Sequence, residues 1–193
     1  MIPSVAQCLV LMNHYGMLAN IRAHSLMVGR VAGLLGSALN RAGLELSLEL
    51  IISGALLHDI AKTQALGLNE LRHDELGRDI CLAHGFDELA EIVGQHVMLR
   101  DGLPKRCAEK EIVYYADKRV LHDRVVDLDA RQAYVLERYS KGDQAMHQRI
   151  RDNFSQARLV EERLFCLLDF APEAVAERVK QSGLDGWPEV SNG

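Results

Sequence analysis

Residues 50–62 read LIISGALLHDIAK. The uncharged run from Leu50 to Leu57 ends in an ionisable pair, His58 and Asp59. Helical spacing places His58 on the face of Ile51, Gly54 and Ala55, and Asp59 on that of Ile52 and Ala55. A carboxylate carried inward costs several kcal/mol unless a partner or a cation compensates it. His73-Asp74 and His122-Asp123 repeat the dipeptide, but the second copy stands among Lys118, Arg119 and Arg124 and reads as a solvated face. The apolar run before it, rather than the dipeptide itself, makes His58-Asp59 the point around which the chain is organised.

Outward from that helix, apolar residues recur at helical spacing almost throughout, and no stretch alternates long enough to make a persuasive strand. The expected fold is all-α. Helices are expected over about 3–15, 19–41, 46–61, 73–84, 87–98, 108–123, 129–140, 143–169 and 172–181. Gly43, Gly85 and Gly142 are expected helix stops, and Asp87, Asp129 and Asp143 stand where N-caps belong. The longest loops are LGLNELR (66–72) and RDGLPKR (100–106), and DGWPEVSNG (185–193) reads as a tail.

With 193 residues, 48% of them hydrophobic and 25% charged, the chain can bury a real core. A formal charge of −5 argues against bulk nucleic-acid binding and against coating an anionic membrane. The N-terminus lacks the pattern of a signal peptide and no apolar run approaches a membrane span, so a cytoplasmic protein is expected. Cys8, Cys81, Cys107 and Cys166 are scattered, which suggests neither a thiolate zinc site nor a disulfide framework.

Two further ionisable groups interrupt apolar stripes. His24 falls in the row Ile21, Val28, Val31, Leu35, and Asp117 in the row Val113, Ala116, Val120, Leu121. Singly, each reads most simply as a hydrogen-bonded core residue. Together, His24, His58, Asp59 and Asp117 supply nitrogen and oxygen donors from three helices, and a shared cation would account for the buried carboxylates.

This ordered set of His, His-Asp and Asp resembles the signature of the HD superfamily of metal-dependent phosphohydrolases, and HDIAK is similar to its HDIG-type variant. The resemblance covers about residues 18–125. It implies a helical bundle with a metal site at its centre, here with a C-terminal helical extension. Some branches add two histidines and a second ion, and His73 and His96 stand in suitable places. His96 extends the stripe Leu89, Ile92, Val93, while His73 opens its helix. His84 lies about 16 Å further along that helix and cannot share an ion with His73.

The ligand set so implied is His24, His58, Asp59, His73, His96 and Asp117, with Asp59 bridging two divalent ions. The resemblance favours iron or manganese, and the donors also suit zinc, cobalt or nickel. Lys62, one turn beyond His58-Asp59, and Arg100, four residues after His96, are candidate phosphate-binding residues. Asp59 and Lys62 are the candidate catalytic residues. The implied function is hydrolysis of a small phosphate ester, a nucleotide or relative, by a metal-activated hydroxide. A noncatalytic nucleotide-binding or adaptor module is the alternative. Residues 1–126 form the expected HD domain, and 127–193 the helical extension and tail, which holds no ligand candidate and is open to packing on the bundle or pairing subunits as a homo-oligomer.

Overall fold

The structure is a computed structural model that describes residues 1–66, 72–103 and 105–182. Most of the first expected loop, Pro104 of the second, and the tail lie outside the described residues.

The elements in chain order are α1 (Val5–His14), α2 (Ala19–Arg41), α3 (Leu48–Leu57), the single turn α4 (Lys62–Ala65), α5 (His73–Ala83), α6 (Asp87–Gln95), α7 (Glu109–Lys118), a two-stranded hairpin of β1 (Val120–Leu121) and β2 (Arg124–Val125), α8 (Leu128–Tyr139), α9 (Gln144–Phe165), a 3₁₀ turn (Pro172–Ala174) and α10 (Val175–Gln181). The protein is all-α but for that hairpin. Side-chain caps start several helices: Ser4 with Gln7 forms a capping box on α1, Ser47 caps α3, and Asp127 and Asp143 cap α8 and α9. Asp143 is thus a cap as expected. Asp87 and Asp129 instead lie in the first turns of α6 and α8, where a carboxylate still meets the positive end of the helix dipole.

Four helices stop three or more residues earlier than their periodicity predicts, α9 at Phe165 and three that carry site residues. At His58 and His96 the imidazole Nδ1–H donates to the carbonyl three residues back, Ala55 and Val93, each at 2.7 Å. The ring thereby competes for the carbonyl that a continuing helix would use. The backbone tightens to i→i−3 bonds, Ile60 N–H to Leu57 O and Lys62 N–H to Asp59 O. After Lys118 the expected helix gives way to the hairpin, in register Val120 with Val125 and Leu121 with Arg124. Buried Arg119 fastens it, donating from Nε to the Val126 carbonyl, while the Val126 N–H returns to the Arg119 carbonyl.

The bundle is built on α2, which packs against α3 and α7, with α3 also against α6 and α7. Helices α5 and α6 form a hairpin whose turn passes through Gly85 at φ +70°. Small residues set the spacing: a Cβ on Gly54 would meet Ile92 Cγ2 at 2.8 Å, so α3 and α6 approach closely and bring His58 beside His96. Helix α9 packs on α7, and Ile150, Phe154, Ala157, Val160 and Leu164 join the same core as Ile51, Ile112 and Val113. The region after residue 127 therefore shares the core of the bundle.

Candidate metal centre

Five elements deliver the six expected ligand residues to one place. His24 comes from α2, His58 and Asp59 from the turn after α3, His73 from the start of α5, His96 from the end of α6, and Asp117 from α7. His24, His58, Asp59, His96 and Asp117 are buried and His73 is half-buried. Asp117 Oδ1 lies 3.0 Å from His24 Nε2 and 3.7 Å from His58 Nε2. Asp59 Oδ1 lies 3.3 Å from His73 Nε2 and 3.5 Å from His96 Nε2, which are themselves 3.2 Å apart, while Asp59 Oδ2 is 3.4 Å from His58 Nε2.

The backbone selects the tautomers. His24 donates Nδ1–H to the His122 carbonyl at 2.9 Å, as His58 and His96 donate theirs to Ala55 and Val93. Neutral rings so held turn an Nε2 lone pair inward, the arrangement that metal-ligating histidines adopt. A lone pair set against a carboxylate oxygen at 3.0 Å is relaxed by a cation between the two atoms or by a proton on the ring. Donor atoms about 2.1 Å from an ion stand roughly 3.0 Å apart at right angles and about 3.4 Å apart in a tetrahedron, matching these separations. Among the described residues His58 Nε2 and Asp59 Oδ1 have no hydrogen-bond partner although both are enclosed, and such orphaned atoms call for an unseen partner. Two overlapping groups bring their donor atoms within 4.8 Å of one another: His24, His58 and Asp117, and His58, Asp59 and His96. The residues fit divalent cations.

Burial resists charge on both aspartates, yet Lys62 and His58 hold the Asp59 carboxyl well below its ordinary range, and Lys118 does the same for Asp117. Burial, aided by His96, pushes His73 down to about 4. His96 is lowered for the same reason of burial, whereas for His58 the charges of Asp59 and Asp117 outweigh burial and raise it.

The two expected phosphate-binding residues have partners inside the chain. Lys62 Nζ donates to Asp59 Oδ2 at 2.7 Å, and Arg100 donates to Asp74 Oδ2 at 2.9 Å. Buried Asp74 also takes Arg72, so it gathers two guanidinium groups beside His73. Three residues at the centre have no helical-spacing signal in the sequence. Lys118 is buried, donating to Asp117 Oδ2 at 3.0 Å and to the His96 carbonyl at 2.6 Å. Its position beside Asp117 was the only available signal. Arg131 of α8 lies 3.8 Å from Asp117 Oδ1. His122, as expected, offers no side chain to the centre, but its carbonyl orients His24. Of the other histidines, His84 pairs with the Tyr15 hydroxyl at the surface.

His122 adopts φ +56° in the hairpin turn, which costs a non-glycine residue about 1 kcal/mol. Because only its carbonyl serves the site, His122→Gly is expected to raise the melting midpoint or leave it unchanged, with metal binding intact. A drop in metal affinity would show instead that the ring matters.

The sequence model of the HD domain matches residues 21–121, just over half of the chain and the whole of the ligand set. The chain belongs to the HD domain family. Membership places it in a superfamily of metal-dependent phosphohydrolases, in which the buried His and Asp groups are suited to divalent metal. The uncharacterized protein MJ0778 of Methanocaldococcus jannaschii is 32% identical over 124 residues, covering 57% of this chain and 72% of that protein. No solved structure matches. Among the described residues no helix is long and apolar enough to cross a membrane. The HD match ends before α8, so Arg131 lies beyond it.

Proposed function

We propose that this HD domain protein hydrolyses a small phosphate ester, a nucleotide or related molecule, at a centre holding two divalent ions. The observation that carries this reading is the convergence of inward Nε2 and carboxylate atoms at 3.0–3.7 Å, two of them without a hydrogen-bond partner among the described residues. His58 Nε2 belongs to both donor groups, but its Nδ1–H is taken by Ala55, so it has one lone pair and serves one ion. His24, His58 and Asp117 would hold one ion and His73 and His96 another, and Asp59, which turns Oδ1 toward His73 and His96 and Oδ2 toward His58, would contribute to both. Iron or manganese suits this set of neutral nitrogens and carboxylates.

When bound, divalent ions supply a water of lowered pKa and neutralise developing charge on phosphoryl oxygens. The chain's own groups do the rest. Asp59 orients the nucleophilic water, and the carbonyls of Ala55, Val93 and His122 hold the imidazoles in register. Lys62, half-buried at the rim with one donor on Asp59, has two donors left for a phosphoryl oxygen. Lys62→Ala should leave metal content intact and lower turnover about 10²-fold; unchanged kinetics on a true substrate would return Lys62 to a neutralising role toward Asp59.

Acid should release the ions in order. Ligating imidazoles must be neutral, so metal affinity falls as pH drops through the pKa of each ring. His58, raised above 6.5, takes a proton first; His73, near 4 in the metal-free chain, competes last. A Mn²⁺ titration from pH 8 to 5 should show the ion on His58 leaving before the ion on His73 and His96. Simultaneous release would contradict the division into two positions.

The deciding experiment reloads the purified chain with Mn²⁺ or Fe²⁺, counts ions by mass spectrometry, and screens mononucleotides and dinucleotides for hydrolysis. Fewer than one ion per folded chain would overturn the reading. Full metal occupancy without hydrolysis of any phosphate ester would instead favour a nucleotide-binding module.

A further inference from the structure

Among the described residues five cations stand around the centre, and four are committed within the chain. Lys62 is bonded to Asp59, Lys118 to Asp117 and the His96 carbonyl, and Arg72 and Arg100 to Asp74. Arg131 differs. Its side chain is only 14% exposed and lies 5.9 Å from the centre of the Tyr134 ring, yet its guanidinium makes no hydrogen bond among the described residues. The nearest carboxylate oxygen, Asp117 Oδ1 at 3.8 Å, is already approached by His24 at 3.0 Å and His58 at 3.7 Å. Asp117 Oδ2 is held by Lys118. A guanidinium has five donors in a planar fork suited to phosphate, and withdrawing those donors from water with no hydrogen-bond acceptor is costly.

The chain goes to some length to put it there. After Asp117 the hairpin reverses direction, Arg119 clamps it through Val126, and Asp127 caps α8 by accepting from the Ala130 N–H. Buried Leu128 anchors the first turn, and Arg131, one turn on, is returned to the aspartate that lies fourteen residues earlier.

Resting on the phosphohydrolase reading, we infer that Arg131 is a substrate-binding residue that takes a phosphoryl oxygen on the Asp117 side of the centre, opposite Lys62 on the Asp59 side. The helix after the hairpin thereby completes a site whose ligands all precede it. The ligand class is a phosphate mono- or diester with at least two non-bridging oxygens free.

The test uses the full chain loaded with Mn²⁺ and titrated calorimetrically with inorganic phosphate, comparing wild type, Arg131→Gln and Arg131→Lys, with metal content and circular dichroism measured on the same samples. Arg131→Gln should keep its fold and its ions and bind phosphate about 10- to 100-fold more weakly, the worth of one hydrogen bond to a charged group. Arg131→Lys, which keeps the charge and loses the fork, should fall between them. Equal phosphate affinity in all three overturns the inference, as does a metal-loaded wild type that binds no phosphate. Loss of metal from a folded Arg131→Gln also overturns it, making Arg131 a partner of Asp117 alone. Wild type that takes up no Mn²⁺ is a distinct result, because it removes the phosphohydrolase reading itself and this inference with it.

Discussion

Asp59→Asn is expected to give a folded chain that no longer takes up divalent metal at either donor group. Asp59 Oδ1 faces His73 and His96 while Oδ2 faces His58, so one residue stands between the two donor groups. An amide presents one neutral oxygen where the carboxylate presents two that share a charge. Affinity for Mn²⁺ should fall by more than about 100-fold, beyond the 10- to 100-fold typical of losing an outer-shell partner. Without metal the two proteins should melt at similar temperatures, since Lys62, 31% exposed, can turn its ammonium to water when its partner goes. With Mn²⁺ at about 100 times its Kd, wild type should gain about 2.7 kcal/mol and the variant almost nothing. Equal stabilisation of both by Mn²⁺ in a thermal melt would mean that Asp59 is no bridge.

Ending the chain at residue 127 has the second large effect. The region beyond it holds no ligand candidate, yet the packing predicts that the shortened chain does not fold. Ile150, Phe154, Val160 and Leu164 of α9 are buried against the bundle. Each large apolar side chain contributes about 1.5–3 kcal/mol on burial, so their loss alone rivals a total stability of about 5–15 kcal/mol. Polar losses add to it. Tyr114 gives up its hydrogen bond to Asn153, buried Glu111 its neighbour Arg163, and buried Arg119 its contacts with Glu161 and the Pro172 carbonyl. The truncated chain should show no cooperative melt and no specific Mn²⁺ uptake. A cooperative transition with metal bound would make residues 1–127 an independent unit.

The sequence by itself determined the helical fold and the placing of His24, His58, Asp59, His96 and Asp117 in the interior. Helical period is a local property: an ionisable residue inside an apolar stripe is carried inward wherever the helix packs. The ends of those helices were not legible in the same way. At His58 and His96 the ring takes a backbone carbonyl from the helix, a competition settled by what else surrounds the ring. The hairpin after Lys118 escaped because its segment has helical periodicity, while its closure depends on Arg119 reaching Val126 and Glu161. Lys62 and Arg100 were placed near the site by spacing, but only the fold decided that Asp59 and Asp74 hold them. Buried Lys118 and the approach of Arg131 to Asp117 likewise rest on contacts between residues brought together from different elements. Periodicity reports which face of a helix is apolar; which charge meets which across the core is decided by packing, and so appears only in the tertiary structure.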